Sequence, residues 1–131
     1  MANELTESKK NMVSLISGNP LGDLIKPLSH EILLFGSYVA GTSHIEDQTI
    51  FDELKEGDKF TLRREPDNRF DENAIVVLDE KGRKLGYIPE KDNLVFARLM
   101  DAGKFLTAKM TEIDRRPPFV RISIDIYLVD F

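Results

Sequence analysis

The sequence contains no cysteine, no tryptophan and only two histidines in 131 residues. The lack of cysteine excludes disulfides and thiolate-bound zinc, and it fits a reducing compartment, so we expect a cytoplasmic protein. Since His30 and His44 are the only imidazoles, a histidine metal site would need carboxylates to complete it. We therefore expect neither a metal ion nor another cofactor.

Long apolar runs are also missing, because no stretch approaches the roughly 20 residues that a membrane-spanning helix needs. Positive charge is in short supply: 18 Lys and Arg face 23 Asp and Glu, giving a net charge of −5. This balance counts against broad, non-specific binding to a phosphate backbone, so we expect any contact with nucleic acid to be local. The length and the 41% hydrophobic content are sufficient for one domain with one core.

Residues 1–30 are predicted to form a helical extension of the main domain, which would span residues 31–131. Two groups of apolar residues have helical spacing. The first comprises Met12, Val13 and Ile16, and the second comprises Leu21, Leu24, Ile25 and Leu28. Asn19-Pro20 separates the groups and Pro27 ends the second. We expect two short helices that pack on the main domain or on a partner.

From Glu31 onward the pattern becomes that of short strands. Six strands are predicted, around residues 32–42, 59–64, 74–78, 83–88, 105–113 and 119–129. One short helix follows Asp47 as its cap, and a second helix around residues 94–100 ends at Gly103. Antiparallel strands in this order, with a helix before the last two, predict a mainly β fold: a small, closed or partly closed six-stranded barrel with two short helices.

The most informative stretch is the segment 64–75, which we call the organising loop. Its Pro66, Asp67 and Asn68 are turn formers, because proline fixes φ and Asx side chains bond their own backbone. Charged, amide and aromatic groups crowd the same turn, and binding groups concentrate on loops that a rigid scaffold holds. A second short motif, Gly86-Tyr87-Ile88-Pro89, follows at the end of a hairpin.

These two motifs closely resemble the HIRAN family, a small β-barrel module of DNA-repair helicases that also occurs as short bacterial proteins. The likeness runs from about Phe35 to Leu128, and Tyr38-Val39-Ala40-Gly41 resembles the aromatic first strand of the family. The resemblance implies a modified OB-type barrel. It also implies a non-catalytic module that captures the 3′ end of single-stranded DNA in repair or processing.

The resemblance further implies a role for individual residues. Tyr38 would stack on a base, Asp71 would bond the terminal hydroxyl, and Asn68 would meet a phosphate or base. We expect these three side chains to share one shallow pocket with Tyr87. The full set of predicted DNA-binding residues is Tyr38, Arg64, Asn68, Arg69, Phe70, Asp71 and Tyr87.

Two other functions remain open from the residues alone. The negative net charge and the extension favour a protein-interaction module that serves a helicase or nuclease. A Mg²⁺-dependent hydrolase acting on nucleic acid would use Asp67, Asp71, Glu72 and Asp79 as oxygen ligands. Asp71 is equally well explained as the cap of a turn before a strand.

Overall fold

The computed structural model describes residues 30–130. The predicted N-terminal helices lie outside the described residues. Two 3-10 segments, Thr42–His44 and Gln48–Glu53, follow the first strand, and helix α1 (Glu90–Asp101) precedes the fifth. The strands are β1 (His30–Tyr38), β2 (Lys59–Arg64), β3 (Ile75–Leu78), β4 (Lys84–Tyr87), β5 (Phe105–Asp114) and β6 (Arg121–Asp130). Within this range, no helix has the length and apolar character to cross a bilayer.

The six strands form one antiparallel sheet in the order β1-β6-β5-β2-β3-β4. The predicted mainly β, OB-like fold of six antiparallel strands is thereby confirmed. The sheet is not closed as a hydrogen-bonded barrel, because β1 and β4 lie at opposite edges. What joins the two edges is an isolated bridge between Ala40 and Tyr87.

Local sequence explains the shorter elements. Asp47 caps the helix Gln48–Glu53 by accepting a hydrogen bond from the Thr49 backbone N–H at 3.0 Å, as predicted. In the β3–β4 hairpin, the Asp79 carboxylate accepts bonds from the backbone N–H groups of Lys81 and Arg83. Asp47 thus caps the helix that precedes β2, and Asp79 fixes the turn between β3 and β4.

The core lies between the curved sheet and α1. Every side chain of β3 is buried, and Ile122, Ile124 and Ile126 of β6 alternate inward as predicted. Helix α1 contributes buried Phe96 and Ala97. Helix α1 follows β4 directly and packs against β2 and β5.

Two contacts fix α1 against β1. The Ser37 hydroxyl donates to Asp92 Oδ2 at 3.0 Å, and the rings of Phe35 and Phe96 lie 6.0 Å apart. A third contact, the bond from Asn93 Nδ2 to Asp71 Oδ2, holds the N-terminal turn of the helix beside the organising loop.

Candidate functional site

Asn68 organises the loop from within. Its Oδ1 accepts hydrogen bonds from the backbone N–H groups of Phe70 and Asp71 at 2.9 and 3.1 Å. Its Nδ2 donates to Glu65 Oε1 at 3.1 Å. This is the local bonding that Asx side chains favour in turns. The amide of Asn68 is therefore committed to holding the loop, and its neighbours present the surface.

Asp71 has a structural bond at each carboxylate oxygen. Oδ1 accepts from the backbone N–H of Asn73 at 2.9 Å, so the turn-cap role that the sequence left open is present. Oδ2 accepts from Nδ2 of Asn93 at 2.7 Å, and Asn93, on α1, is buried. A carboxylate oxygen accepts two hydrogen bonds, so each oxygen retains capacity for one more donor. Asp71 is thus both a cap and a fixed, available acceptor.

A chain of polar contacts crosses from the loop to β4. The Tyr87 hydroxyl donates to Glu65 Oε1 at 2.7 Å, and Lys84 Nζ donates to the Tyr87 oxygen at 2.9 Å. The donation from Tyr87, followed by that from Asn68, holds the pKa of Glu65 below its usual value against the opposing effect of burial. Glu65 is therefore an anion that ties the loop to β4.

Sequence reasoning missed Lys84 as a site residue. It lies three residues before Tyr87, so strict alternation along a strand would place the two on opposite faces. An irregularity in the β3–β4 ladder at this point lets Lys84 Nζ lie 4.4 Å from the centre of the Tyr87 ring. Asn93 was missed for a different reason: on sequence it is one polar residue of an amphipathic helix.

These side chains border a shallow cleft of about 430 Å³, which we call the loop cleft. Its lining includes Asn68, Phe70, Asp71, Lys84, Tyr87 and Asn93. The Phe70 side chain is 94% exposed, which is unusual for a large apolar group. The loop cleft therefore combines a free aromatic ring with one cation, Lys84, and two carboxylates, those of Asp71 and Glu90.

Tyr38 lies in a neighbouring cleft of about 530 Å³, the strand cleft, formed by residues 38–44 and 119–123. Ala40 and Gly41 line both clefts and form the wall between them. The structure thus brings Asn68, Asp71 and Tyr87 together and places Tyr38 on the other side of that wall. Lys91 Nζ lies 5.6 Å from the Tyr38 ring centre.

The two arginines among the predicted site residues have different surroundings. Arg64 lines neither cleft: its guanidinium donates to the carbonyl oxygens of Ala74 and Glu72 and pairs with Asp101 at 2.9 Å. Its side chain is only 13% exposed. Arg69 is exposed on the loop between Asn68 and Phe70. Of the two, Arg69 is the one available to a ligand.

The acidic residues proposed as Mg²⁺ ligands are not assembled. Asp79 is buried in the hairpin turn, where Arg83 Nε donates to Oδ2 at 2.8 Å. Asp67 and Glu72 are exposed on the organising loop. Across residues 30–130, no three His, Asp or Glu side chains are grouped as a metal site requires.

Comparison with known proteins identifies the family. A family model described as the HIRAN domain matches residues 32–129. A crystal structure of a protein from Lactobacillus plantarum is similar, with a TM-score of 0.73 and 28% identity over 79% of this chain and 99% of that one. The crystal structure of the HIRAN domain of human HLTF shares the fold, with a TM-score of 0.63 and 18% identity over 77% and 78% of the two chains. No curated protein matches. The chain belongs to the HIRAN domain family.

Proposed function

We propose that this protein is a non-catalytic nucleic-acid-binding module that holds the 3′ end of single-stranded DNA in the loop cleft. The observation that carries the proposal is the position of Phe70 and Asp71 side by side at this cleft. The exposed ring of Phe70 gains apolar contact when a base stacks on it, worth about 1–3 kcal/mol without regard to base identity.

Asp71 supplies the preference for the end of a strand. Its remaining acceptor capacity suits the terminal 3′ hydroxyl, which is a hydrogen-bond donor. A terminal phosphate offers no such donor and is repelled by the carboxylate at short range. The bond from buried Asn93 fixes the carboxylate before the ligand arrives, so little ordering is needed on binding.

In this proposal, two cations would meet phosphates. Lys84 borders the loop cleft, and Arg69 is exposed on the loop beside Phe70. The Tyr87 hydroxyl bonds to both Lys84 and Glu65. We therefore assign Tyr87 the role of positioning these two side chains and not that of stacking on a base. Tyr38, in the adjacent strand cleft, would stack on the next base. With about two phosphate contacts, the logarithm of the affinity should fall with the logarithm of salt at a slope of roughly −1.4.

Fluorescence anisotropy with short oligonucleotides tests the proposal. Strands of one sequence, ending in a 3′ hydroxyl or a 3′ phosphate, are titrated with the protein at two salt concentrations. We expect tighter binding to the hydroxyl end, and a loss of affinity in Phe70→Ala of about tenfold. The matched control is Leu94→Ala, which removes another exposed apolar side chain, one that lines neither cleft.

A protein-interaction module is the second candidate, favoured by the net charge of −5. In that case the loop cleft would bind neither oligonucleotide, and Phe70→Ala would weaken binding of a helicase or nuclease. The two candidates therefore differ in the first titration. The identity of such a partner and the cytoplasmic location remain predictions.

A further inference from the structure

The face of β1 that points toward the core is left partly uncovered. Across the β1–β6 ladder, Ile32 lies opposite Leu128 and Phe35 lies opposite Ile126. Opposed residues in an antiparallel pair project to the same face, and Leu128 and Ile126 belong to or pack on the core. Nevertheless, Ile32 and Phe35 are 43% and 44% exposed. Part of the core layer is open to solvent here.

This uncovered face continues into an apolar groove of about 400 Å³ between β1 and α1, which we call the β1–α1 groove. Its apolar lining comprises Leu34, Phe35, Val95, Phe96 and Leu99. Val95 is 63% exposed, although it lies next to buried Phe96. The groove shares no lining residue with the loop cleft, so its occupant is independent of the DNA-end proposal.

Strand β1 also has a free edge. Among the described residues it pairs with β6 on one side, and it is the terminal strand in the sheet order. An apolar strand at a sheet edge invites pairing with other chains, and proteins commonly cover such edges. A covering segment is thus expected at the place where the open core face and the free edge meet.

We propose that residues 21–28 of this chain dock in the β1–α1 groove and complete the core. They end two residues before His30, the first residue of β1, and carry four apolar residues: Leu21, Leu24, Ile25 and Leu28. From His30 to Phe35 is about 17 Å along a strand. Eight residues span about 12 Å as a helix and about 26 Å when extended, and the link from Leu28 to His30 adds about 7 Å, so the segment is long enough to reach the groove in either form.

Covalent attachment favours this occupant over a second copy of the chain. A segment joined to β1 through the single residue Ser29 is present at a millimolar effective concentration, as for other short connections. A second protein molecule would have to reach that concentration to compete. The segment is also amphipathic, with Asp23 and Lys26 between its apolar positions, so it can cover the groove and present charge to solvent.

Paramagnetic relaxation in the full-length protein tests the proposal. Because the chain contains no cysteine, Lys26→Cys gives a single site for a nitroxide label. We expect loss of amide signal for residues 92–99 and unchanged signal at the hairpin Asp79–Arg83. A sample that mixes labelled, ¹⁴N protein with unlabelled, ¹⁵N protein should show no loss. Loss in the mixed sample would assign the groove to a second copy, and no loss in either sample would also overturn the proposal.

Two charge substitutions on α1 give a matched pair. Val95→Asp places a carboxylate in the groove, whereas Leu94→Asp places one at an exposed position outside it. The relaxation effect from position 26 should disappear in Val95→Asp and persist in Leu94→Asp. If both variants keep the effect, the segment rests elsewhere and the proposal is wrong.

Discussion

Ala40 and Tyr87 exchange two backbone hydrogen bonds, from Ala40 N to Tyr87 O at 2.7 Å and from Tyr87 N to Ala40 O at 2.9 Å. This pair joins the continuation of β1 to β4, which otherwise lie at opposite edges of the sheet. It also sets the position of the wall that divides the loop cleft from the strand cleft. The bridge therefore determines the shape of both.

Glycine at position 86 is what allows the bridge to form. A Cβ there would lie 2.3 Å from the Ala40 carbonyl oxygen, a backbone atom that cannot move aside alone. We expect Gly86→Ala to reduce the free energy of unfolding by about 1–3 kcal/mol, as for overpacked sites. Urea denaturation measures this. Gly36→Ala is the control, because its added Cβ would first meet Asp125 Oδ1 at an ordinary 3.5 Å. Equal losses in the two variants would contradict the explanation.

The strands could be predicted from the sequence because their signals are local. Alternation in β6, the run of β-branched residues in β3 and the turn residues of the hairpin each act within a few neighbours. The degree of closure could not be predicted in this way. It depends on the contact between residues 40 and 87, which are distant in sequence and identified by no local pattern.

For the candidate site, too, the local features could be predicted from the sequence and the long-range contacts could not. Phe70 and Asp71 belong to a loop whose composition is distinctive, so the sequence indicates them directly. The separation of Tyr38 from Asp71 follows from the Ala40–Tyr87 bridge, and the contact of Asn93 with Asp71 follows from the packing of α1. Contacts between residues this far apart in the chain cannot be predicted from the spacing or periodicity of residues in the sequence.

The two arginines of the organising loop should respond differently to substitution. Arg64→Ala removes bonds to two carbonyl oxygens and to Asp101, so we expect a loss of about 1–3 kcal/mol in stability with DNA affinity unchanged. Arg69→Ala removes an exposed charge, so stability should hold while the salt slope becomes shallower by about 0.7. Urea denaturation and anisotropy at several salt concentrations measure the two effects. If Arg64→Ala instead made the salt slope shallower and Arg69→Ala lowered stability, Arg64 would be the residue that contacts the ligand.

The link between Tyr87 and Glu65 predicts a pH dependence. Because the pKa of Glu65 is lowered from 4.5 in the folded protein, its contribution to stability is present above that value and is lost as pH falls through the folded pKa. Tyr87→Phe removes the largest cause of the shift, so the pKa of Glu65 should rise toward 4.5. Carboxyl ¹³C NMR titration measures this. Tyr127→Phe serves as the control, since Tyr127 is not among the causes of the shift.

The Asp71→Asn variant tests separately the two roles of Asp71, its structural bonds in the turn and its contact with the ligand. The amide oxygen can still accept the bond from the Asn73 N–H, but an NH₂ group then faces the Asn93 Nδ2 donor. We expect a stability loss of about 1–2 kcal/mol from the broken Asn93 bond. Because the negative charge is gone, binding to 3′ hydroxyl and 3′ phosphate ends should become nearly equal.

Asp67→Asn is the matched control for this prediction, since it removes one exposed negative charge from the same loop. If the Asp71 carboxylate acts only through the overall electrostatic field of the loop, both variants should reduce the preference for the 3′ hydroxyl end over the 3′ phosphate end to a similar degree. If it contacts the terminal hydroxyl, Asp71→Asn alone should do so. Should Asp71→Asn lower stability and leave end preference intact, Asp71 is a turn cap and nothing more. The discriminating acceptor would then have to be sought at Glu90, the other carboxylate that lines the loop cleft.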